Sequence, residues 1–347
     1  MSEAKHTSYD LAQMQSLPLE AKIVMTQNRI REWYEHWNGM VYVSFSGGKD
    51  STVLKHIVDG MYDDVPALFV NTGLEYPEIQ KFAMSQKNVV TVRPELRFDE
   101  VLKTYGYPVI TKAVAKKIDA AQRGLKWANK YLNNEAVNKG GNPSRFNCAK
   151  WKYLIDSPFK VSSVCCDVMK KKPIKKYNRN SGRKPFIATL AEESICRKSA
   201  WFKTGCNAFN MSNPSSKPIS FWTEQDILHY LKKFNVPYCC VYGDIVIDEI
   251  GNAEFIDGQI NAIDYRGGYE PEDKLKTTGC SRTGCIFCMF GCHLEKEPNR
   301  FQRLKKTHPR QYEYCIGGGE MVDGKWQPSK EGLGLGKVLD YIGVRYE

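Results

Sequence analysis

The run Ser44-Phe45-Ser46-Gly47-Gly48-Lys49-Asp50-Ser51 constrains this chain more than any other feature. It follows Met40-Val41-Tyr42-Val43, an apolar run of β-branched and aromatic residues that reads as a buried strand. Thr52-Val53-Leu54-Lys55-His56-Ile57-Val58 comes next and reads as a helix. A strand, a glycine turn and a helix start, in that order, build an anion site. The glycines let the backbone approach closely, and the unpaired N–H groups of the helix N-terminus point at the anion. Lys49 adds a positive charge, Ser46 and Ser51 add hydroxyl donors, and Asp50 is suited to hold a divalent cation on a phosphate.

A chain of 347 residues, 42% hydrophobic and 26% charged, is globular and can bury a large core. No apolar run approaches the ~20 residues of a membrane span, and the polar start Met1-Ser2-Glu3-Ala4-Lys5-His6 lacks a signal-peptide core. A cytoplasmic protein with no membrane partner is expected. Twelve cysteines in such a chain argue for metal or thiol chemistry over a disulfide framework. The net charge of +11 is unevenly placed. Residues 110–152 carry ten Lys and Arg against Asp119 and Glu135, a local +8, and residues 165–184 carry eight against Asp167, a local +7. Two readings of these segments stay open: solvated faces around a polyphosphate pocket, or a nucleic-acid surface.

Along the chain, residues 8–38 are expected to be helical, with strands at 40–45, Ala67–Val70, Val89–Val92 and Phe186–Leu190. A basic helical stretch is expected over 111–140, and a helix from Thr223 to Phe234 with Thr223 as N-cap and Pro237 beyond its end. Strands alternating with helices predict an α/β fold, a doubly wound parallel sheet that binds ligands beyond the carboxyl ends of its strands. The predicted organisation is an N-terminal helical segment (1–39), a nucleotide-binding α/β domain (40–250) and a cysteine-rich region (251–347), whose last ~30 residues are glycine-rich and poorly patterned.

Ser-x-Ser-Gly-Gly-Lys-Asp-Ser at 44–51 is not Walker A, which needs four residues between its first glycine and Gly-Lys. It resembles the PP-loop of ATP pyrophosphatases and of the phosphoadenylyl-sulfate (PAPS) reductase family, the adenine nucleotide alpha hydrolase-like superfamily. Three further segments are similar to that family. Asn71-Thr72-Gly73-Leu74-Glu75-Tyr76-Pro77-Glu78 resembles a loop that lines the adenosine side of the site. Phe186 through Ser194, then Arg197, resembles a segment whose arginine pairs with a phosphate or sulfate, although Leu190 stands where a second arginine often sits. Pro218 to Ile227, followed by Asn235-Val236-Pro237-Tyr238, resembles a packing helix and carries little chemistry. The resemblance covers roughly residues 40–290. It implies a nucleotide site of Ser44, Ser46, Gly47, Gly48, Lys49, Asp50, Ser51, Asn71, Thr72, Gly73 and Glu75, with Lys49, Asp50 and Arg197 acting on ATP or a related adenine nucleotide with Mg²⁺.

Cys165-Cys166, with the following Lys170 and Pro173, resembles the paired-cysteine segment of adenylylsulfate (APS) reductases, which hold a [4Fe–4S] cluster with that pair and a distant C-x-x-C. Here the partners would be Cys285 and Cys288. Cys280, Cys285, Cys288 and Cys292 offer a purely local alternative, and zinc suits either four-thiolate set. Cys196, Cys206, Cys239 and Cys240 are expected in the core. Thiol-dependent sulfonucleotide reductases carry a C-terminal E-C-G-L-H that this chain lacks; Cys315 is the nearest candidate and matches poorly. Lys49-Asp50-Ser51 is the form seen in relatives that split ATP between its α and β phosphates. The first reading is therefore a PP-loop sulfurtransferase that adenylates an oxygen of an acceptor, which a sulfur nucleophile then displaces. A nucleic acid held by segments 110–152 and 165–184 is one candidate acceptor, and an electron- or sulfur-donor protein is implied. The alternatives are an APS/PAPS reductase and a non-catalytic nucleotide-binding redox regulator.

Overall fold

The computed structural model describes residues 5–248, 254–256, 259–261 and 273–347. The expected boundary at 250/251 lies outside the described residues. The chain divides into two compact units, each assembled from separate stretches: Met1–Asn71, Tyr76–Val92 and Lys175–Thr283 in the first, and Thr72–Glu75, Arg93–Ile174 and Gly284–Glu347 in the second.

The first unit is mixed α/β and is built on six strands. They are β1 (Val41–Phe45), β2 (Ala67–Val70), β3 (Val89–Val92), β4 (Lys184–Ile187), β5 (Asn207–Ala208) and β6 (Ser215–Ser216). Their order is β3-β2-β1-β4-β6-β5, parallel throughout except for the β5–β6 edge. In β1, Val41, Tyr42, Val43 and Phe45 are all buried, so the strand is covered on both faces, as a central parallel strand must be. β2 lies on one side of β1 and β4 on the other, with Val43 opposite both Ala67 and Phe186. The order therefore reverses at β1, the point where open α/β sheets form their ligand crevice. β4 begins and ends earlier than expected. It stops at Ile187, where Thr189 N–H turns back to the Ile187 carbonyl.

The N-terminal helical stretch is two helices, Ser8–Gln15 and Leu19–His36, because Pro18 cannot continue the first. Ile30 and Trp33 of the second enter the core beside Val53, Leu54 and Phe186. The helix Glu224–Lys233 starts where predicted, with Thr223 and Asp226 closing a capping box, and Trp222, Ile227 and Leu231 are buried. Two buried polar links tie it to Leu19–His36: Lys22 Nζ reaches both Asp226 carboxylate oxygens at 2.8 Å, and Trp222 Nε1–H donates to Thr26 Oγ1 at 2.9 Å.

In the second unit, the basic stretch 111–140 is less helical than expected. Helix Lys112–Gln122 ends before Gly124, whose φ of +76° is left-handed, and only the short helix Asn129–Leu132 follows a 3₁₀ turn. The glycine-rich C-terminus is ordered: the hairpin Glu320–Val322/Lys325–Gln327 precedes helix Leu335–Tyr341, which buries Leu335, Val338 and Leu339. Its glycines mark turns. No helix among the described residues is long and apolar enough to cross a membrane.

Candidate functional site

In the first unit, the loop Ser46–Gly48 joins the carboxyl end of β1 to the helix Lys49–Asp59. Gly47 has φ +73°, and a Cβ there would lie 3.0 Å from Ile79 Cγ2 and 3.1 Å from the Ile79 carbonyl, so no side chain fits. Ser44 is inside β1, opposite Leu68 and Ile187. The two predicted hydroxyls stabilise the loop itself. Ser46 and Ser51 share a 3.0 Å hydrogen bond, and Ser51 Oγ also donates to the Gly48 carbonyl at 2.9 Å.

Lys49 is buried. Its ammonium donates to the Ser281 carbonyl at 2.9 Å and lies 3.0 Å from Glu224 and 3.7 Å from Asp50 Oδ1. The Lys49 N–H, first of the helix, donates to the Tyr242 hydroxyl at 3.2 Å, which pairs with Thr283 Oγ1 at 2.7 Å. Burial pushes the Tyr242 pKa up to about 12, so it stays a neutral hydroxyl. Asp50 Oδ1 is buried without a hydrogen-bond partner. Burial raises the Asp50 pKa and Glu224 adds to this, while Lys49 and Arg282 oppose it. A cavity of about 390 Å³ opens over these groups, lined by Lys49, Asp50, Leu190, Glu192, Glu193, Glu224 and Arg282. The cavity sets the cations Lys49 and Arg282 against the carboxylates Asp50, Glu192, Glu193 and Glu224, while the N–H groups of Ser46, Gly48 and Lys49 are bonded to neighbouring hydroxyls.

Arg197 stands at the start of helix Ile195–Thr204, which Ser194 caps, and it pairs with Glu193 four residues earlier. Glu193 also holds Arg282. The sequence pattern did not point to Arg282, Tyr242, Thr283 or Glu224; the signal nearest to them was the helix start expected at Thr223.

Asn71 follows β2 in the first unit, where its N–H donates to the Val92 carbonyl. Thr72, Gly73 and Glu75 belong to the second unit. There Glu75 accepts from Thr72 N–H at 3.0 Å and from Thr72 Oγ1 at 2.8 Å, and the Leu74 carbonyl accepts from Ile286 N–H. That bond brings the turn to the Cys285-x-x-Cys288 loop. Cys165 and Cys166 precede a π-turn, Asp167–Lys171. Cys165 is near enough to Cys166, Cys285 and Cys288 for each to add to the rise that burial imposes on its thiol. Burial also raises Cys285, to about 11, against Lys170. Burial alone would lower the Lys170 ammonium, but Cys285 and Glu75 outweigh it and hold its pKa above the ordinary value. Arg300 donates to the Cys288 carbonyl at 2.8 Å.

The local alternative is split. Cys280 lies in the first unit and the buried Cys292 thiol donates to the Met289 carbonyl at 3.0 Å. Among the described residues, no group of three or more His, Cys, Asp or Glu is arranged to hold a metal ion. In donor type the residues suit a thiolate-bound metal: Cys165 feels the charge of Cys166, Cys285 and Cys288, and the cations Lys170 and Arg300 would offset thiolate charge at Cys285 and Cys288. Of the cysteines expected in the core, Cys206 and Cys239 are buried but Cys196 and Cys240 are exposed, on a helix start and a 3₁₀ turn. Cys315 is fully buried and its thiol pKa is raised well above the ordinary value, the opposite of an activated nucleophile.

The sheet and loop define a class: an α/β protein with a glycine loop at the carboxyl end of its central strand. Residues 40–125 and 110–289 match the model of the phosphoadenosine phosphosulfate reductase domain. The chain belongs to that family. An uncharacterized protein of Methanocaldococcus jannaschii is 32% identical over 94 residues, which are 26% of this chain and 23% of that protein's length. The crystal structure of phosphoadenylyl-sulfate (PAPS) reductase from Candida auris, a phosphate complex, aligns with a TM-score of 0.37 at 12% identity over 69% of this chain and 92% of that one.

Proposed function

We propose that the chain is an ATP-dependent enzyme that adenylates an oxygen of its acceptor and lets a sulfur nucleophile displace AMP. The observation that carries this reading is Asp50: a buried carboxylate oxygen without a hydrogen-bond partner, beside Lys49 at a helix N-terminus. A group so placed suits Mg²⁺ on a polyphosphate, and an enzyme that only binds a sulfonucleotide does not need it. Lys49 would exchange Glu224 and the Ser281 carbonyl for phosphate oxygens. The loop amides and Arg282 would stabilise charge on the departing pyrophosphate as the acceptor oxygen bonds to the α-phosphorus. In the second step sulfur bonds to the acceptor carbon, the carbon–oxygen bond breaks and AMP leaves. A donor protein would supply the sulfur, and a nucleic acid is the acceptor we favour. Cys165, Cys166, Cys285 and Cys288 would hold a [4Fe–4S] cluster, or zinc, and such a cluster supplies electron or sulfur chemistry when bound.

The second reading, an APS/PAPS reductase, is favoured by the approach of Cys165 to Cys285 and Cys288 and weakened by the burial of Cys315. An anaerobic preparation assayed for pyrophosphate release from ATP and for sulfite release from APS or PAPS separates them. Pyrophosphate supports the first reading, sulfite replaces it with the second, and neither product, with nucleotide still bound, leaves a non-catalytic redox regulator.

A further inference from the structure

The second unit carries a strip of rings and cations that the nucleotide site does not use. Trp127 meets the Tyr131 ring edge-on at 6.4 Å. Lys117 Nζ lies 5.0 Å from the centre of the Tyr131 ring and 5.8 Å from that of Phe146, so it joins the two. Lys130 stands 5.4 Å from the Tyr131 ring and Arg145 4.9 Å from the Phe146 ring. The result is one continuous path, Trp127–Tyr131–Lys117–Phe146–Arg145. Its end rings are open to solvent, Trp127 at 44% and Phe146 at 51% exposure. Between Lys126 and Lys152 the sequence carries six cations and one carboxylate, Glu135.

Exposed rings alternating with cations at this spacing match one polymer chemistry. Single-stranded nucleic acid presents flat bases and phosphates in alternation, and bases stack on aromatic faces while cations track the backbone. A duplex keeps its bases stacked on one another and would leave the rings unused. An acidic peptide would use the cations alone. A membrane surface calls for one amphipathic helix face, whereas these rings come from a 3₁₀ turn, a four-residue helix and a loop.

We infer that this strip binds single-stranded nucleic acid, with bases on Trp127 and Phe146 and phosphates on Lys126, Lys130 and Arg145. The claim that the bound strand is the acceptor rests on the proposed sulfur-transfer reading; the claim that it binds does not. Lys117 holds the strip together from within: it is buried and its ammonium donates to the Ala113 carbonyl at 3.3 Å. It is therefore unsuitable for a charge-reversal test, whereas Lys126, Lys130 and Arg145 are exposed.

The test is fluorescence anisotropy of the whole chain with labelled single-stranded RNA, single-stranded DNA and a matching DNA duplex, between about 50 and 200 mM salt. Trp127→Ala and Phe146→Ala are each expected to weaken single-strand binding about tenfold, within the range of one lost stacking contact, while Phe146→Tyr retains it. The triple variant Lys126→Glu, Lys130→Glu, Arg145→Glu is expected to flatten the salt slope by about 2, roughly 0.7 for each phosphate released. Equal binding by the ring variants, duplex binding as tight as single-strand binding, or full competition by phosphatidylglycerol vesicles would each overturn the inference. Circular-dichroism melts show whether each variant is folded. Pyrophosphate release is measured on the same protein. Release without any strand binding overturns this inference alone, and ring-dependent strand binding without release supports it while removing the sulfur-transfer reading.

Discussion

Asp50 trades stability for function. Its buried oxygen has no hydrogen-bond partner, and burial disfavours its charge. Asp50→Asn removes that penalty, so the nucleotide-free variant is expected to melt higher than wild type in EDTA while losing pyrophosphate release. A lower melting temperature with activity retained would contradict the role given to Asp50. Lys49→Ala is expected to abolish release with the fold intact, since β1 before it is untouched. Full turnover by that variant would remove the loop from the chemistry. The residues named from the motif were legible because strand, turn and helix are local. Tyr242, Arg282 and Thr283 were not, because they reach the loop from about two hundred residues away and only tertiary structure brings them to Lys49. Arg197 was legible as a segment, but its observed partner, Glu193, belongs to the same turn.

Elements followed the sequence where the signal was a run of apolar residues or a cap. β1, β2 and β3 and the Thr223 N-cap fall where expected. The misses have local causes: Pro18 divides one helix, Gly124 ends another, and the terminal glycines that looked patternless are turns between a hairpin and a helix. The link between helices Leu19–His36 and Glu224–Lys233 was not legible, because Lys22 and Asp226 each look like ordinary surface residues. Lys22 is nearly fully buried, with a side-chain exposure of 3%. Lys22→Ala is expected to cost about 3 to 5 kcal/mol, the range for stranding one partner of a buried pair, read as a lower urea midpoint at unchanged slope. Replacing both residues by apolar ones should not restore stability, because Asp226 also accepts from the Thr223 N–H and hydroxyl that open its helix. A cost below about 1 kcal/mol would place the pair among surface bridges.

At the scale of the whole molecule, the chain leaves the first unit after β3 and returns to it at Lys175, so the second unit is inserted as well as appended. That path brings Cys165 and Cys166 to Cys285 and Cys288, across more than a hundred residues. Cysteine spacing alone left two ligand sets open because it carries no tertiary information, and the two models now make opposite predictions. If the distant pairs bind a cluster, anaerobically purified protein should be brown, with broad absorbance near ~400 nm from thiolate-bound iron. Cys165→Ser, Cys166→Ser, Cys285→Ser and Cys288→Ser should each lose colour and iron, while Cys280→Ser and Cys292→Ser keep both. Because a bound cluster closes a loop of more than a hundred residues, its loss should also lower the melting temperature. If Cys280→Ser bleaches the protein and Cys165→Ser does not, the local set is the ligand set. A colourless protein with one zinc per chain would remove the redox chemistry, and the loss of zinc in the same serine variants would then say which set holds it.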